Sequence, residues 1–218
     1  MHFVIINCSP HNKNSSNTAM LLDFFQKGIM NSGSTYERYN LVMRSQWFDI
    51  KMAIISNENI IFALPVYAAT VPGLMKEFLE ELFKTSNNVC GKKISFILQS
   101  GFPEACQRIY CENYLKGLPA LFESSFNGIL SYGINCRFIE NIELKDVQDS
   151  FCRIGEKFAE NNGNFFFKEV EDFNGNYYIT EKEAQKFNRI FAFFCKHISE
   201  EMGCNESLTK KPYQDIRD

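Results

Sequence analysis

The chain has 218 residues, enough for one domain with an appendage or for two small domains. Its net charge of −3 comes without a basic cluster, which excludes nucleic acid as the main partner, since phosphate neutralisation needs grouped Lys and Arg side chains. No apolar run approaches the roughly 18 residues of a membrane span, and the N-terminus does not read as a secretion signal, so we expect a cytoplasmic protein. We then expect the eight cysteines to be reduced thiols, with no metal site.

Short apolar runs alternate with helical patterns over the first two-thirds of the chain, which predicts an α/β fold: a parallel sheet with helices on both faces. Five strands are predicted, at Phe3–Asn7, Thr35–Asn40, Ile60–Leu64, Ile94–Gln99 and about Cys136–Ile142. Five helices are predicted, at about Asn17–Asn31, near Asp49, from Pro72 onward, from Pro103 to about Phe126, and at about Val147–Asn161.

The pattern changes after residue 162. Asn162-Gly-Asn reads as a linker, and a long helix is predicted over Thr180–Met202, where Thr180 and Glu183 have the spacing of a capping box. We therefore expect a domain at residues 1–162 and a mainly helical extension at 163–218. The apolar face of the long helix could pack on the domain or on a second subunit.

The loop after the first predicted strand, residues 8–18, is a candidate phosphate site. It leads into the first turn of a helix, where unpaired backbone N–H groups and the positive end of the helix dipole favour an anion. The chain has no acidic residue before Asp23 and no glycine before Gly28, so neither glycine-rich nucleotide motif is present. Hydroxyls and amides could bind a monophosphate without a counter-charge, although a helix cap in an ordinary turn is the alternative. The candidate donors are Ser9, Ser15, Ser16, Asn17 and Thr18.

Two further loops follow predicted strands and could border a flat ring. The second loop, Leu64–Gly73, has a stiff strand exit at Pro65, and Tyr67 could lie beside a ring. The third loop, Gln99–Glu104, contains Gly101, which allows close backbone approach, and Phe102, which can cover a ring. Each loop alone could be an ordinary turn. Because the carboxyl ends of parallel strands form the ligand crevice of an open α/β sheet, three such loops at one edge favour a binding site.

The three loops together resemble those of the flavodoxin-like, NADPH-dependent FMN reductase family, near the iron–sulfur flavoprotein and multimeric flavodoxin branch. The resemblance covers about residues 1–160 and implies a flavodoxin-like five-stranded parallel sheet followed by a C-terminal helical extension. The matching motifs are Ser9-Pro10 with Ser16-Asn17-Thr18, Pro65-Val-Tyr67 with Pro72-Gly-Leu-Met-Lys76, and Ser100-Gly-Phe-Pro-Glu104.

This resemblance implies a bound FMN, with NADPH or NADH as electron donor and a small molecule as acceptor. It implies no catalytic side chain, because the flavin supplies the chemistry. Family members are often dimers or tetramers with the flavin near a subunit interface, so a homodimer or homotetramer is expected. The implied phosphate-binding residues are Ser9, Ser16, Asn17 and Thr18, and the ring is flanked by Pro65, Val66, Tyr67 and Ala68 on one side and by Ser100, Gly101 and Phe102 on the other.

The first loop departs from the family pattern. The family usually has Gly before the Ser-Pro and a basic residue after it, where this chain has Cys8 and His11. These changes could weaken FMN binding, or His11 could partly replace the basic group. The branch that carries an iron–sulfur cluster has several cysteines between the second and third strands, and this chain has none there, so no cluster is expected.

Three functions remain open from the sequence. The first is an FMN-dependent NAD(P)H oxidoreductase. The second is an electron carrier or redox sensor without nicotinamide turnover, which the near-neutral charge disfavours because such carriers are usually acidic to dock basic partners. The third is a binding module that kept the fold and lost the cofactor, which the substitutions at Cys8 and His11 suggest.

Overall fold

The computed structural model describes residues 1–11, 16–84, 89–133, 141–174, 180–201 and 203, apart from the side chains of 141–143, 183, 186, 190 and 194. The strands are β1 His2–Asn7, β2 Thr35–Asn40, β3 Asn59–Pro65, β4 Lys93–Ser100 and β5 Ser125–Gly133. The helices are α1 Asn17–Asn31, α2 Trp47–Ser56, α3 Gly73–Phe83, α4 Ile109–Gly117, α5 Asn141–Glu160, α6 Lys168–Asn174 and α7 Glu181–Glu201.

The five strands form one parallel sheet in the order β2-β1-β3-β4-β5. The chain moves outward from β1 to β2 and then crosses back to β3 on the other side, so the winding direction reverses between β1 and β3. In open α/β sheets, ligands bind outside the carboxyl ends of the strands at such a reversal. The predicted five-stranded parallel sheet is therefore confirmed, and its topology points to the end of β1.

Helices cover both faces of the sheet, because alternate residues of each strand point to opposite sides. On one face, Val4, Ile6 and Phe62 join the apolar side chains of α2, α3 and α4. On the other face, Phe3 and Ile5 join those of α1, α5 and α6. Many Phe side chains lie in these two clusters, and within a cluster the ring centroids come as close as 4.3 Å.

The fifth strand of the sheet does not have the predicted bounds, Cys136–Ile142. The true β5 is Ser125–Gly133, while residues 141–142 begin α5 and 134–140 lie outside the described residues. The helix predicted from Pro103 to Phe126 is correspondingly too long, since it breaks into two 3₁₀ turns around α4 and ends at Glu123, whose φ is +50°. Strand β5 was missed because Asn127 and Gly128, the latter at φ +96°, are poor strand residues and interrupt its apolar pattern.

The chain divides into two compact units, residues 1–178 and 179–218. This division lies after the predicted domain boundary at 162, because Phe165 and Val170 are buried in the cluster beneath α1 and α5. The second unit contains α7, where the predicted helix is confirmed and the N–H of Ala184 donates to the carbonyl of Thr180 over 2.9 Å. The side chain of Glu183, the other half of the predicted capping box, lies outside the described residues. No helix in the described part of the chain has the length and apolar character needed to cross a membrane.

Candidate functional site

The first loop begins with a network of short polar contacts at the end of β1. The buried Asn7 side chain accepts the Ser9 N–H over 3.2 Å and donates to Asn40 over 3.0 Å, which ties the loop to the end of β2. The buried Ser9 hydroxyl accepts the N–H of His11 over 3.3 Å, so its own hydrogen can be donated to a ligand. The His11 side chain is exposed. Residues 12–15, which include the candidate Ser15, lie outside the described residues.

Helix α1 begins with a side-chain N-cap, which the sequence leaves open as the alternative to a phosphate site. The buried Ser16 hydroxyl accepts the N–H of Ala19 over 3.1 Å, again leaving its hydrogen to donate. Thr18 is buried and Asn17 is half-buried in the first turn, which contains no acidic residue. Neutral donors, helix-terminal N–H groups and the absence of a carboxylate in this turn are the properties that suit a phosphate.

Cys8 does not occupy the crevice. Its side chain is buried in the apolar cluster of α2 and α3, and its thiol lies 3.6 Å from the carbonyl oxygen of Ile6. Burial raises the pKa of this thiol well above its usual range, so it is a neutral packing group. Cys8, at the position where the resembled family usually has Gly, is thus packed in the apolar core.

The second loop is a tight turn fixed to the sheet. The N–H of Val66 donates to the carbonyl of Gln99 over 2.8 Å, and Tyr67 and Thr70 exchange two backbone hydrogen bonds of 3.1 and 3.0 Å. Between them, Ala68 and Ala69 both have positive φ, at 47° and 59°. Pro65 is buried and Val66 half-buried, whereas Tyr67 is 41% exposed at the surface of the turn.

Two consecutive left-handed alanines are strained, because this conformation costs a residue with a Cβ about 1–2 kcal/mol. We expect Ala69→Gly to raise the free energy of unfolding by about 0.5 kcal/mol, the relief being partly offset by the extra freedom of Gly in the unfolded chain. Urea unfolding measures this change. The matched control, Ala53→Gly inside α2, should instead lower the free energy of unfolding by about 1 kcal/mol or more. Equal losses in both variants would contradict the strained turn.

The third loop folds around its own first hydroxyl. The buried Ser100 side chain donates to the carbonyl of Phe102 and accepts the N–H of the same residue, both over 3.1 Å. Gly101 is exposed, and Phe102 is 45% exposed. A partly exposed ring on a loop that is closed by its own hydrogen bonds suits the role of covering an apolar ligand surface.

The three loops follow three neighbouring strands, as the sequence predicts. Asn7 of β1 is in register with Ala63 of β3, and Pro65 of β3 is in register with Gln99 of β4. The N–H of Cys8 also bonds the carbonyl of Ala63 over 2.7 Å. The buried hydroxyls of Ser9 and Ser16 therefore belong to the same sheet edge as the two exposed aromatic residues.

Sequence reasoning missed four residues that shape this edge. Asn7 and Asn40 end adjacent strands, and their position at two strand ends was a signal that could have found them. Arg108 is buried behind the third loop, and Gly133 ends β5 directly beneath it. Neither had a sequence signature, because most of their partners are backbone atoms. Across the described ranges, no group of three or more His, Cys, Asp or Glu side chains is placed to hold a metal ion.

Solved structures with the same fold share this architecture. An NADPH-quinone reductase from P. pentosaceus is 16% identical, with a TM-score of 0.53 over 70% of this chain and 96% of the other. An FMN-dependent NADH-azoreductase from Bacillus anthracis, solved in complex with FMN, is 14% identical, with a TM-score of 0.54 over 73% of this chain and 100% of the other. General stress protein 14 from Treponema denticola, also solved with FMN, is 13% identical, with a TM-score of 0.56 over 73% of this chain and 98% of the other.

No protein-family model and no curated protein matches the chain. The structural similarities establish that the chain is a flavodoxin-like α/β protein, which confirms the fold class expected from the sequence. Identities this low do not by themselves transfer an activity.

Proposed function

We propose that this chain is an FMN-dependent NAD(P)H oxidoreductase that passes electrons from a reduced nicotinamide through FMN to a small acceptor, such as a quinone or nitro compound. The observation that carries the proposal is the pairing, at the end of β1, β3 and β4, of buried neutral donors with two exposed aromatic residues. That combination suits a ligand with a phosphate at one end and a flat ring at the other.

In this proposal the phosphate lies at the start of α1. Ser9 and Ser16 donate their hydroxyl hydrogens, and Asn17 and Thr18 contribute the first-turn N–H groups. His11, exposed two residues after Ser9, could add a donor from the solvent side. Because these groups are neutral or at the surface, binding depends on hydrogen bonds and the helix dipole, with no buried ion pair.

The ring lies between the second and third loops. Pro65, Val66, Tyr67 and Ala68 border one side, where the tight turn holds the backbone rigid. Ser100, Gly101 and Phe102 border the other side. When bound, FMN would supply the redox chemistry, taking a hydride from the nicotinamide and passing the electrons on to the acceptor. The chain's part is to bind and orient the ring and to leave one face open.

Several structural neighbours carry names that support this activity. One is called an NADPH-quinone reductase and another an FMN-dependent NADH-azoreductase, so both nicotinamides occur among proteins of this fold. We accordingly propose NADPH or NADH as the electron donor.

A homodimer or homotetramer is proposed as well, with exposed apolar side chains such as Tyr110 and Phe48 as candidate subunit contacts. The cytoplasmic location expected from the sequence stays a prediction.

The purified protein should bind FMN and show a flavin absorption spectrum. Anaerobic addition of NADPH or NADH to the FMN-loaded protein should bleach the flavin within the time of a catalytic turnover, and a quinone or nitro compound should restore the colour. Stopped-flow absorbance measures both half-reactions. Slow bleaching with both donors, in protein that does bind FMN, would contradict the enzyme assignment.

The same preparation distinguishes the alternatives. A stabilised neutral semiquinone during photoreduction, without bleaching by nicotinamides, would favour an electron carrier. A colourless protein that gains no thermal stability from FMN would favour a binding module without cofactor. The hypothesis of a binding module was suggested by the residues at Cys8 and His11, and the packing of Cys8 in the core removes the first of these two reasons.

A further inference from the structure

Arg108 is buried directly behind the third loop. Its side chain is 1% exposed, and it is the largest fully buried side chain in the described part of the protein. It follows the 3₁₀ turn Ala105–Gln107, which leaves the loop, and it precedes α4. Arg is rarely buried unless its charge and its donors are matched. The groups that this guanidinium bonds therefore indicate its structural role.

The guanidinium bonds a run of loop carbonyls. Its Nη1 lies 3.3, 3.3 and 3.4 Å from the carbonyl oxygens of Phe102, Pro103 and Glu104, and its Nη2 donates to the carbonyl of Asn174 over 2.6 Å. The three loop carbonyls are consecutive, so one planar group faces the whole inner side of the loop. A guanidinium suits this task, because its five N–H donors are held in a fixed plane.

The clamp is anchored to the sheet. The Nε of Arg108 lies 3.7 Å from a carboxylate oxygen of Glu112, one helical turn later. The same oxygen accepts the hydroxyl hydrogen of Ser131, in β5, over 2.7 Å. Asn174 bonds β5 with its side chain, accepting the N–H of Ser131 over 2.7 Å and donating to the carbonyl of Ile129 over 3.0 Å. The loop is thereby tied to the edge strand through two routes.

Gly133 provides the surface on which the loop rests. A Cβ at this position would overlap the carbonyl oxygen of Phe102 and the Nη1 of Arg108, and it would lie 2.8 Å from the Cα of Pro103. The end of β5, the third loop and the guanidinium are thus packed in direct contact. Any side chain at Gly133 would push the loop away from the sheet.

We propose that Arg108 is a positioning residue for the ring side of the flavin site, a role that rests on the proposed function. It holds residues 102–104 in one arrangement, so that Phe102 is already placed when the ring arrives. Ordering a loop during binding costs affinity, and a loop ordered beforehand avoids that cost. In the described part of the chain, the hydrogen-bond and ion-pair partners of Arg108 lie in the third loop, in α4 and at Asn174, so it acts on the ring end of the ligand and leaves the phosphate end unchanged.

Comparison of FMN with riboflavin, which has the ring without the phosphate, tests this role. Quenching of flavin fluorescence gives the dissociation constant of each ligand, and thermal unfolding without ligand gives stability. We expect Arg108→Met to weaken FMN and riboflavin by the same factor, about tenfold. Arg108→Lys should recover part of the affinity, because its ammonium can bond some of the carbonyls. Gly133→Ala, which displaces the loop from the sheet side, should reproduce the Arg108→Met pattern.

Gly128→Ala is the matched control for general damage to β5. Its Cβ would lie 2.8 Å from the Cβ of Phe165, at a positive φ, and the three atoms nearest to it all belong to Phe165. It should lower the unfolding temperature and leave both flavin affinities unchanged well below that temperature. The proposal is overturned if neither Arg108→Lys nor Gly133→Ala weakens flavins more than Gly128→Ala does, or if only FMN is affected. Wild-type protein that binds neither flavin would overturn the proposed function instead.

Discussion

Replacing Ser16 by Asp should weaken FMN binding by about 100-fold while α1 stays intact. Asp is as good an N-cap as Ser, so the carboxylate can accept the Ala19 N–H and the helix should begin at the same residue. A carboxylate next to the ligand phosphate would cost about 3 kcal/mol at an effective dielectric constant near 20, which corresponds to about 100-fold. Fluorescence titration with FMN measures the change.

Two comparisons make this result specific to the phosphate. Ser16→Asn places an equally good but neutral cap at the same position, so it should keep most of the FMN affinity. Riboflavin should bind Ser16→Asp and the wild-type protein with nearly the same affinity, because it brings no negative charge. A Ser16→Asp protein that keeps wild-type FMN affinity would show that no phosphate lies at the start of α1.

Gly28→Ala should destabilise the fold by about 2 kcal/mol, although Ala is the better helix former. Helix α1 crosses α5 at Gly28, where a Cβ would overlap the carbonyl oxygen of Cys152 and lie 2.7 Å from the N of Glu156. Both neighbours are backbone atoms, so no side-chain rotation can relieve the overlap. Overpacking typically costs 1–3 kcal/mol, and contact with rigid backbone belongs at the upper end of that range, which exceeds the gain of about 1 kcal/mol in helix propensity.

Urea unfolding at equilibrium measures this loss, and two further variants locate it. Gly155→Ala should behave similarly, because a Cβ there would overlap the carbonyl oxygen of Phe25 from the other side of the same helix pair. Gly73→Ala, at the start of α3, meets nothing within 4 Å and should leave stability unchanged or slightly higher. If Gly28→Ala proved as stable as Gly73→Ala, the two helices would not be in backbone contact.

Local signals predicted the first half of the chain well. Helix α1 begins and ends at the predicted residues, Asn17 and Asn31, because Ser16 caps it and Gly33 follows its end at φ +76°. Strand β2 also has its predicted bounds, and β1, β3 and β4 extend the predicted runs by one residue at one or both ends. In each case the residues that start and stop the element lie within a few positions of its ends, so the sequence signal for its bounds is local.

The same reasoning failed at β5, where the local signal was weak. Gly128 and Asn127 are poor strand residues, and the helix predicted from Pro103 to about Phe126 overlapped the start of the strand. The strand is held by β4 on one side and by the side chain of Asn174 on the other. These partners lie tens of residues away along the chain.

By itself, the sequence determined the α/β alternation, the bounds of α1 and the three loops whose residues suit a phosphate and a flat ring, since these depend on residue type and spacing over short stretches. Only the tertiary structure decided that Cys8 packs in the core, that Gly28 and Gly155 seat two helices, and that Arg108 clamps the third loop. The physical reason is that these contacts form only when the chain is folded: Cys8 packs among side chains of α2 and α3, each glycine meets the backbone of the facing helix, and Arg108 bonds loop carbonyls and Asn174. Residue type and spacing over a short stretch do not identify such partners.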